Sequence, residues 1–174
     1  MNFSWIPSIR ACFGLIALGS ISMILFAIIM LQFFLELEPC ALCVSQRIGF
    51  LTMGVIAFIA FIHGPKRLGQ RIYLTLGSLA TIAGGSISAR HVWIQSLPVD
   101  EQPLCGPGLG YMFETRPVFD ALSLLLTGDG NCADVLLRFL GLTIPGWTLI
   151  AFIGFLLFHI WLFFRTTKSQ VLPS

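Results

Sequence analysis

ACFGLIALGSISMILFAIIMLQFFL, residues 11–35, runs for 25 residues without a charge, bounded by Arg10 and Glu36. Its reading decides the fold, because it sets the number of membrane crossings. The apolar core of a cleaved signal peptide is roughly 7 to 15 residues long, well short of this run, whereas a spanning helix needs about 20. The stretch therefore reads as a retained first helix.

Three more apolar stretches follow between charges: 48–65 between Arg47 and Lys66, 72–89 between Arg71 and Arg90, and 139–164 between Arg138 and Arg165. Flanking residues lengthen the two shorter ones, so that the second starts near Cys40 and the third continues to about Ile94. Pro145 and Gly146 interrupt the fourth, which makes Thr143 to Gly146 a lead-in turn and Trp147 to Phe164 the spanning part. With 56% hydrophobic and 10% charged residues, against roughly 25% charged in a soluble domain, the chain is expected to be an all-α integral membrane protein. The expected architecture is a single domain over residues 1–174: a four-transmembrane-helix bundle with spans near 11–35, 40–62, 72–94 and 147–164. A long outer loop, about 95–146, completes it.

An even number of spans puts both termini on one side, together with HGPKRLGQR, residues 63–71. Arg10, Lys66, Arg67, Arg71, Arg165 and Lys168 share that side, which the positive-inside rule makes the cytoplasm. All eight acidic residues (Glu36, Glu38, Asp100, Glu101, Glu114, Asp120, Asp129 and Asp134) fall on the other. The net charge of +2 is thus explained by topology, and no nucleic-acid partner is expected.

Of five cysteines, Cys40 and Cys43 lie at the outer end of the second span, and Cys105 and Cys132 in the outer loop. These four face the compartment where disulfides persist. Cys12, at the cytoplasmic start of the first span, reads as a small apolar helix residue. A four-cysteine zinc centre is disfavoured, since only one CxxC pair is present and the two loop cysteines are isolated, so no metal site is expected. Haem attachment would need histidine after the second cysteine, where Val44 stands. Two static disulfides in a structural or accessory membrane protein are the competing use. A CxxC bridge, however, closes so short a loop that it stabilises weakly, which favours electron exchange.

If the second helix starts near Pro39, then Cys40, Cys43 and Arg47 fall within about 60° of one another on the helical wheel. Cys43 would then feel the positive end of the helix and the Arg47 guanidinium one turn below. A cation about 4 Å from a thiolate is worth roughly 4 kcal/mol at an effective dielectric of 20. Even half of that brings a cysteine pKa from about 8.5 towards neutrality. Arg47 would otherwise be an interfacial anchor, but intramembrane charges usually have a partner.

In the outer loop, PLCGPG exposes Cys105 on a bendable segment. RPVFDALSLLLTG sets Val118, Ala121, Leu122 and Leu125 at helical spacing, with Gly128 as a stop. At about 10 residues it is too short to span, and is expected to be an amphipathic surface helix holding Cys132 near Cys40. At the end of the third span ARHVWIQ sets His91 and Gln95 four apart. Trp93 and the polar residues suit headgroup depth; the functional alternative makes His91 a hydrogen-bond partner or proton carrier for a ligand. His63 and His159 carry no assigned role.

PCALCVSQR (39–47), RHVWIQ (90–95), PLCGPG (103–108) and GNCADVLLRFLGLTIPGW (130–147), in this order across four spans, resemble the DsbB family, the disulfide bond formation proteins of the bacterial inner membrane. The resemblance implies a catalytic relay of Cys40, Cys43, Cys105 and Cys132 on the periplasmic side. A Cys105–Cys132 disulfide oxidises a DsbA-like soluble thiol oxidase, Cys132 then attacks Cys40, and Cys43 is left as a thiolate against a quinone (ubiquinone or menaquinone). It further implies that Arg47 and His91 bind the quinone. The DsbA potential is about −120 mV and structural disulfides lie below about −300 mV, a gap of roughly 8 kcal/mol. Such a cycle needs a downhill acceptor, which the membrane quinone pool would supply.

Overall fold

The computed structural model describes residues 7–104, 118–128, 130–135 and 137–168. Helix α1, Ile9–Phe26, runs without a break into a π-helical segment, Ala27–Phe34; α2 spans Ala41–His63 and α3 Arg67–Ser96. After a 3-10 turn at Val99–Glu101 come the short helix α4 (Val118–Thr127), a second 3-10 turn at Gly130–Cys132, and an antiparallel hairpin of β1 (Arg138–Phe139) and β2 (Leu142–Thr143). Helix α5, Ile144–Lys168, closes the described chain. The four long helices, the first taken with its π-helical end, are each long and apolar enough to cross a membrane. The chain is a multi-pass membrane protein of the all-α class.

The main packing runs α1 on α2, α2 on α3 and α3 on α5. Large apolar side chains such as Leu18, Phe58, Ile82 and Leu157 point outward, as a lipid-facing surface requires. Small residues face inward, because helices in lipid associate through close van der Waals contact. A methyl group on Gly49 would lie 3.0 Å from the Cα of Gly84, and one on Gly84 would meet the Phe152 ring at 2.6 Å. Phe152 in turn stacks on Phe50, with centroids 4.1 Å apart. Phe13, Ile16, Met53, Leu74 and Leu162 complete this core, which also contains Cys12. His159 is buried in α5, donating from Nδ1 to its own helix at the Phe155 carbonyl, 2.7 Å away.

Three helix starts differ from the sequence reading. α2 begins at Ala41, with Cys40 as its extended N-cap (φ −70°, ψ 171°), so Cys40 stands off the helical wheel that was to carry it. α3 begins at Arg67 and takes in the basic turn, since helical hydrogen bonding continues past the hydrocarbon boundary. α5 begins at Ile144 and absorbs Pro145 in its first turn, where a missing N–H costs no helical bond. The turn sits upstream instead, in the hairpin whose Leu140 and Gly141 take φ values of 51° and 82°, both positive as in a type I′ hairpin turn.

The expected surface helix is α4, packed on α2. Its Leu125 is buried, whereas Phe119 and Leu126 are exposed; the side chains of Val118, Ala121 and Leu122 lie outside the described residues. Two groups hold its C-terminal end. The Ser45 hydroxyl donates to the Leu125 carbonyl, and Arg90 Nε donates to the Thr127 carbonyl at 2.8 Å, a cation at the negative end of a helix. Gly128 ends it with φ 76°, and a methyl group there would press to 2.8 Å from Leu42 Cδ1.

Candidate functional site

The start of α2 sets the first two sulfurs. With Cys40 at the N-cap, Cys43 is the third helical residue, the position whose side chain can reach back to the N-cap amide. The two sulfurs lie 2.8 Å apart, with Cys40 donating to Cys43. Cys12, Cys40, Cys43 and Cys132 all carry thiols.

Cys132 arrives from the 3-10 turn after α4. It is 1% exposed and packs with Ala41, Leu42, Ile94 and Ala133. Its sulfur lies within 4.8 Å of that of Cys40; this contact first, then the one with Cys43 and burial, pushes the Cys40 thiol above the ordinary cysteine range. His91, at the outer end of α3, joins them. The sulfurs of Cys40 and Cys132 and His91 Nε2 all lie within 4.8 Å of one another. Cys105 lies outside the described residues, but its neighbour Leu104 accepts at its carbonyl from the Gly130 amide at 3.0 Å, two residues from Cys132.

His91 is held on both sides. Nε2 lies 3.1 Å from the Cys132 carbonyl, which can only accept, so Nε2 carries the proton. Nδ1 then accepts from Gln46 Nε2 at 2.9 Å. The other end of the Gln46 amide, Oε1, accepts from the Thr148 hydroxyl of α5 at 2.7 Å, and Ser88 of α3 lies 2.9 Å from that hydroxyl. A polar chain thus joins α2, α3 and α5 through groups that would be costly in lipid without partners.

Arg47 is one turn below Cys43, but its hydrogen bonds cross to the first span: Nη1 donates to Gln32 Oε1 at 2.9 Å and Nη2 to the Ala27 carbonyl at 3.4 Å. Ala27 opens the π-helical segment, and π-turns recur at functional sites. Beside it opens a cavity of about 930 Å³, walled by apolar residues of the first span such as Met30 and Phe34, and by Trp147 of α5. Cys40, Cys43, Gln46, Arg47, His91 and Gln95 all reach it. Gln95 Oε1 is buried there with no partner among the described residues.

The structure therefore gathers Cys40, Cys43, Cys132 and His91 at one point and sets Arg47 at the cavity wall. Sequence reasoning passed over Gln46, Thr148, Ser88 and Gln32. The available signal was their polarity inside apolar helices, since a buried amide or hydroxyl needs a partner. Which partner depends on how the helices pack.

The chain matches the family model described as disulfide bond formation protein DsbB over residues 9–162. It is 48% identical over 161 residues to the disulfide bond formation protein B of Saccharophagus degradans, covering 92% of this chain and 96% of that protein. Identity to the protein of that name from Hahella chejuensis is 50% over 125 residues, 72% of this chain and 76% of the relative. The Psychrobacter protein of that name is 43% identical over 162 residues, 92% and 95% of the two chains.

Proposed function

The chain belongs to the DsbB family of disulfide bond formation proteins, and from that premise we propose that it reoxidises a DsbA-like periplasmic thiol oxidase and delivers the electrons to a membrane quinone. It works in the bacterial inner membrane with both termini in the cytoplasm, the orientation its basic residues favour. One observation carries the reading: the Cys40 sulfur has both the Cys132 and the Cys43 sulfurs beside it, at the wall of a cavity lined mainly by apolar side chains.

The exchange steps balance at the sulfurs. A thiolate of the soluble partner attacks Cys105, breaking the Cys105–Cys132 disulfide and freeing Cys132. Cys132 attacks Cys40, breaking the Cys40–Cys43 disulfide and leaving Cys43 as a thiolate. The partner's second thiol displaces Cys105 and departs as a disulfide, and Cys105 attacks Cys132 to restore the loop disulfide and free Cys40. The dithiol of Cys40 and Cys43 then holds the two electrons and two protons taken from the partner. The backbone bond between Leu104 and Gly130 supports the loop pairing, because it ties the neighbours of Cys105 and Cys132 together.

Cys43 is suited to hold negative charge, lying in the first turn of α2 at the positive end of that helix. The cavity fits a quinone ring and the start of its tail: about 930 Å³ is within the usual range of small-molecule sites, roughly 300 to 1,000 Å³. Arg47 can donate to a ring oxygen, and the unpartnered Gln95 Oε1 can accept from a hydroxyl. A quinone bound there supplies the electron sink, taking up two electrons and two protons. Ubiquinone and menaquinone both meet that requirement.

The test is a redox assay with the purified chain, a reduced DsbA-like substrate and defined quinones. Stoichiometric quinone reduction is expected, lost in Cys43→Ser, with substrate oxidation lost in Cys105→Ser. Full turnover in either variant overturns the relay. Cysteines that stay oxidised regardless of quinone supply would return the chain to a structural protein with static disulfides.

A further inference from the structure

Folding assembles a donor set that the sequence spacing does not announce. CxxC with two isolated loop cysteines is a poor zinc pattern. In the folded chain, however, Cys132 and His91, from a loop turn and from α3, take the place of the missing second pair. The Cys40 and Cys132 sulfurs and His91 Nε2 lie within 4.8 Å of one another, and Cys40 sulfur is 3.8 Å from His91 Nε2. Zinc bonds of about 2.3 Å to sulfur and about 2.0 to 2.1 Å to nitrogen, at the tetrahedral angle, set two such ligands about 3.6 Å apart. The observed pair needs to move by only a few tenths of an ångström.

We infer that the reduced chain binds one thiophilic cation, zinc foremost, through Cys40, Cys132 and His91, with Cys43 as fourth ligand, and that the bound ion reversibly holds the thiols out of disulfide exchange. Cys43 sulfur is 2.8 Å from Cys40 sulfur, closer than the about 3.8 Å between two zinc-bound sulfurs, so Cys43 swings towards the cavity to ligate. Three thiolates and one divalent ion leave a single negative charge, which the positive end of α2 offsets. Cys132 and His91 are 1% and 2% exposed, a shielded setting that favours soft sulfur and imidazole ligands over water.

The surroundings of His91 accommodate the change. A metal-bound Nε2 has no proton, so the proton sits on Nδ1 and needs an acceptor, as ligating histidines usually have. Gln46 provides one by turning its amide over to present Oε1. The Thr148 hydroxyl then accepts from the Gln46 amide and donates to the Pro145 carbonyl, already 2.9 Å away. The Gln46 amide nitrogen and oxygen exchange places, no other heavy atom in that chain has to move, and the Cys132 carbonyl gives up its bond from Nε2. A Cys40–Cys43 disulfide removes two ligands at once, so the site exists only in the reduced state. Binding displaces thiol protons and therefore tightens as pH rises.

The inference stands on thiol-state geometry, and its test uses neither quinone nor partner, so it can fail without the relay failing. The full chain in detergent, reduced and freed of reductant, is titrated with zinc alone against a chromophoric chelator, and cobalt(II) serves as a spectroscopic stand-in. One ion per reduced chain is expected, with thiolate-to-cobalt charge-transfer bands and tetrahedral d–d bands. The oxidised chain should retain none. Cys132→Ser, which is nearly isosteric, and His91→Ala should each weaken binding by about tenfold or more, while Cys12→Ser leaves it unchanged. Absence of a retained ion, retention undiminished in both Cys132→Ser and His91→Ala, or loss in Cys12→Ser would each overturn it.

Discussion

Gln46 donates its side-chain amide to Nδ1 of His91 at 2.9 Å, a bond between two buried side chains on adjoining helices. The proton is fixed at the other nitrogen: Nε2 faces the Cys132 carbonyl, 3.1 Å away, which can only accept, so Nδ1 is bare and Gln46 presents its N–H to it. Through His91, Gln46 is thus linked to the backbone of Cys132.

Gln46→Leu is expected to leave His91 Nδ1 and the Thr148 hydroxyl without this partner, at about 1–3 kcal/mol for a buried polar group. The Cys132 carbonyl still holds the proton on Nε2, so the tautomer should persist while Nδ1 loses its donor. Nitrogen-15 chemical shifts of His91 read both, and an Nδ1 resonance that does not move in the variant would remove Gln46 as its donor.

Arg47→Leu removes the charge-assisted bond to Gln32 and the cation at the cavity wall. Charge-assisted bonds are worth about 1.5–3 kcal/mol, so the apparent KM for quinone should rise by about tenfold or more. Exchange between Cys132 and Cys40, followed by quenching with an alkylating agent, should proceed at its normal rate. Gln32→Ala should reproduce part of the KM effect, because it frees the guanidinium without removing it.

Packing through small residues gives a sharp contrast within α3 and α5. Gly84→Ala drives a methyl group into Phe152 and should cost about 1–3 kcal/mol, the usual range for overpacking. Gly154→Ala meets nothing within 4 Å and should be neutral or stabilise by up to about 1 kcal/mol through helix propensity. Thermal midpoints in one detergent compare the two, and equal shifts would contradict the packing described.

Cys40 carries a thiol held above the ordinary range by the Cys132 and Cys43 sulfurs and by burial. The neutral form is therefore favoured by folding. Stability of the reduced chain from this source is present below the unfolded cysteine pKa of about 8.5 and is lost as pH rises above it. Thermal midpoints of the reduced chain should decline from about pH 8.5 upward, and Cys40 should alkylate more slowly than an exposed thiol at neutral pH. A flat profile to pH 10 in the reduced chain would show that the contact between these sulfurs has no such effect.

Hydropathy and charge are properties of contiguous residues, so the sequence by itself determined the helices able to span, the short helix before Cys132 and its stop at Gly128. The spacing of Cys40, Cys43 and Arg47 brought those three into view by the same local logic. Helix starts were less legible. Cys40 leaves the helix as its N-cap, and Pro145 enters one, because capping and the Leu140–Gly141 hairpin turn depend on backbone angles that composition leaves open. Tertiary structure alone decided where Arg47 donates, since the π-helical end of the first span presents Gln32 and the Ala27 carbonyl to it. It alone brought Cys132 to Cys40 and His91, and bound His91 through Gln46 to Thr148. A buried polar group must find a partner, but the partner lies across a helix interface, 45 residues away in the chain for Gln46 and His91. That pairing is set by which faces of the helices meet, and no local pattern encodes it.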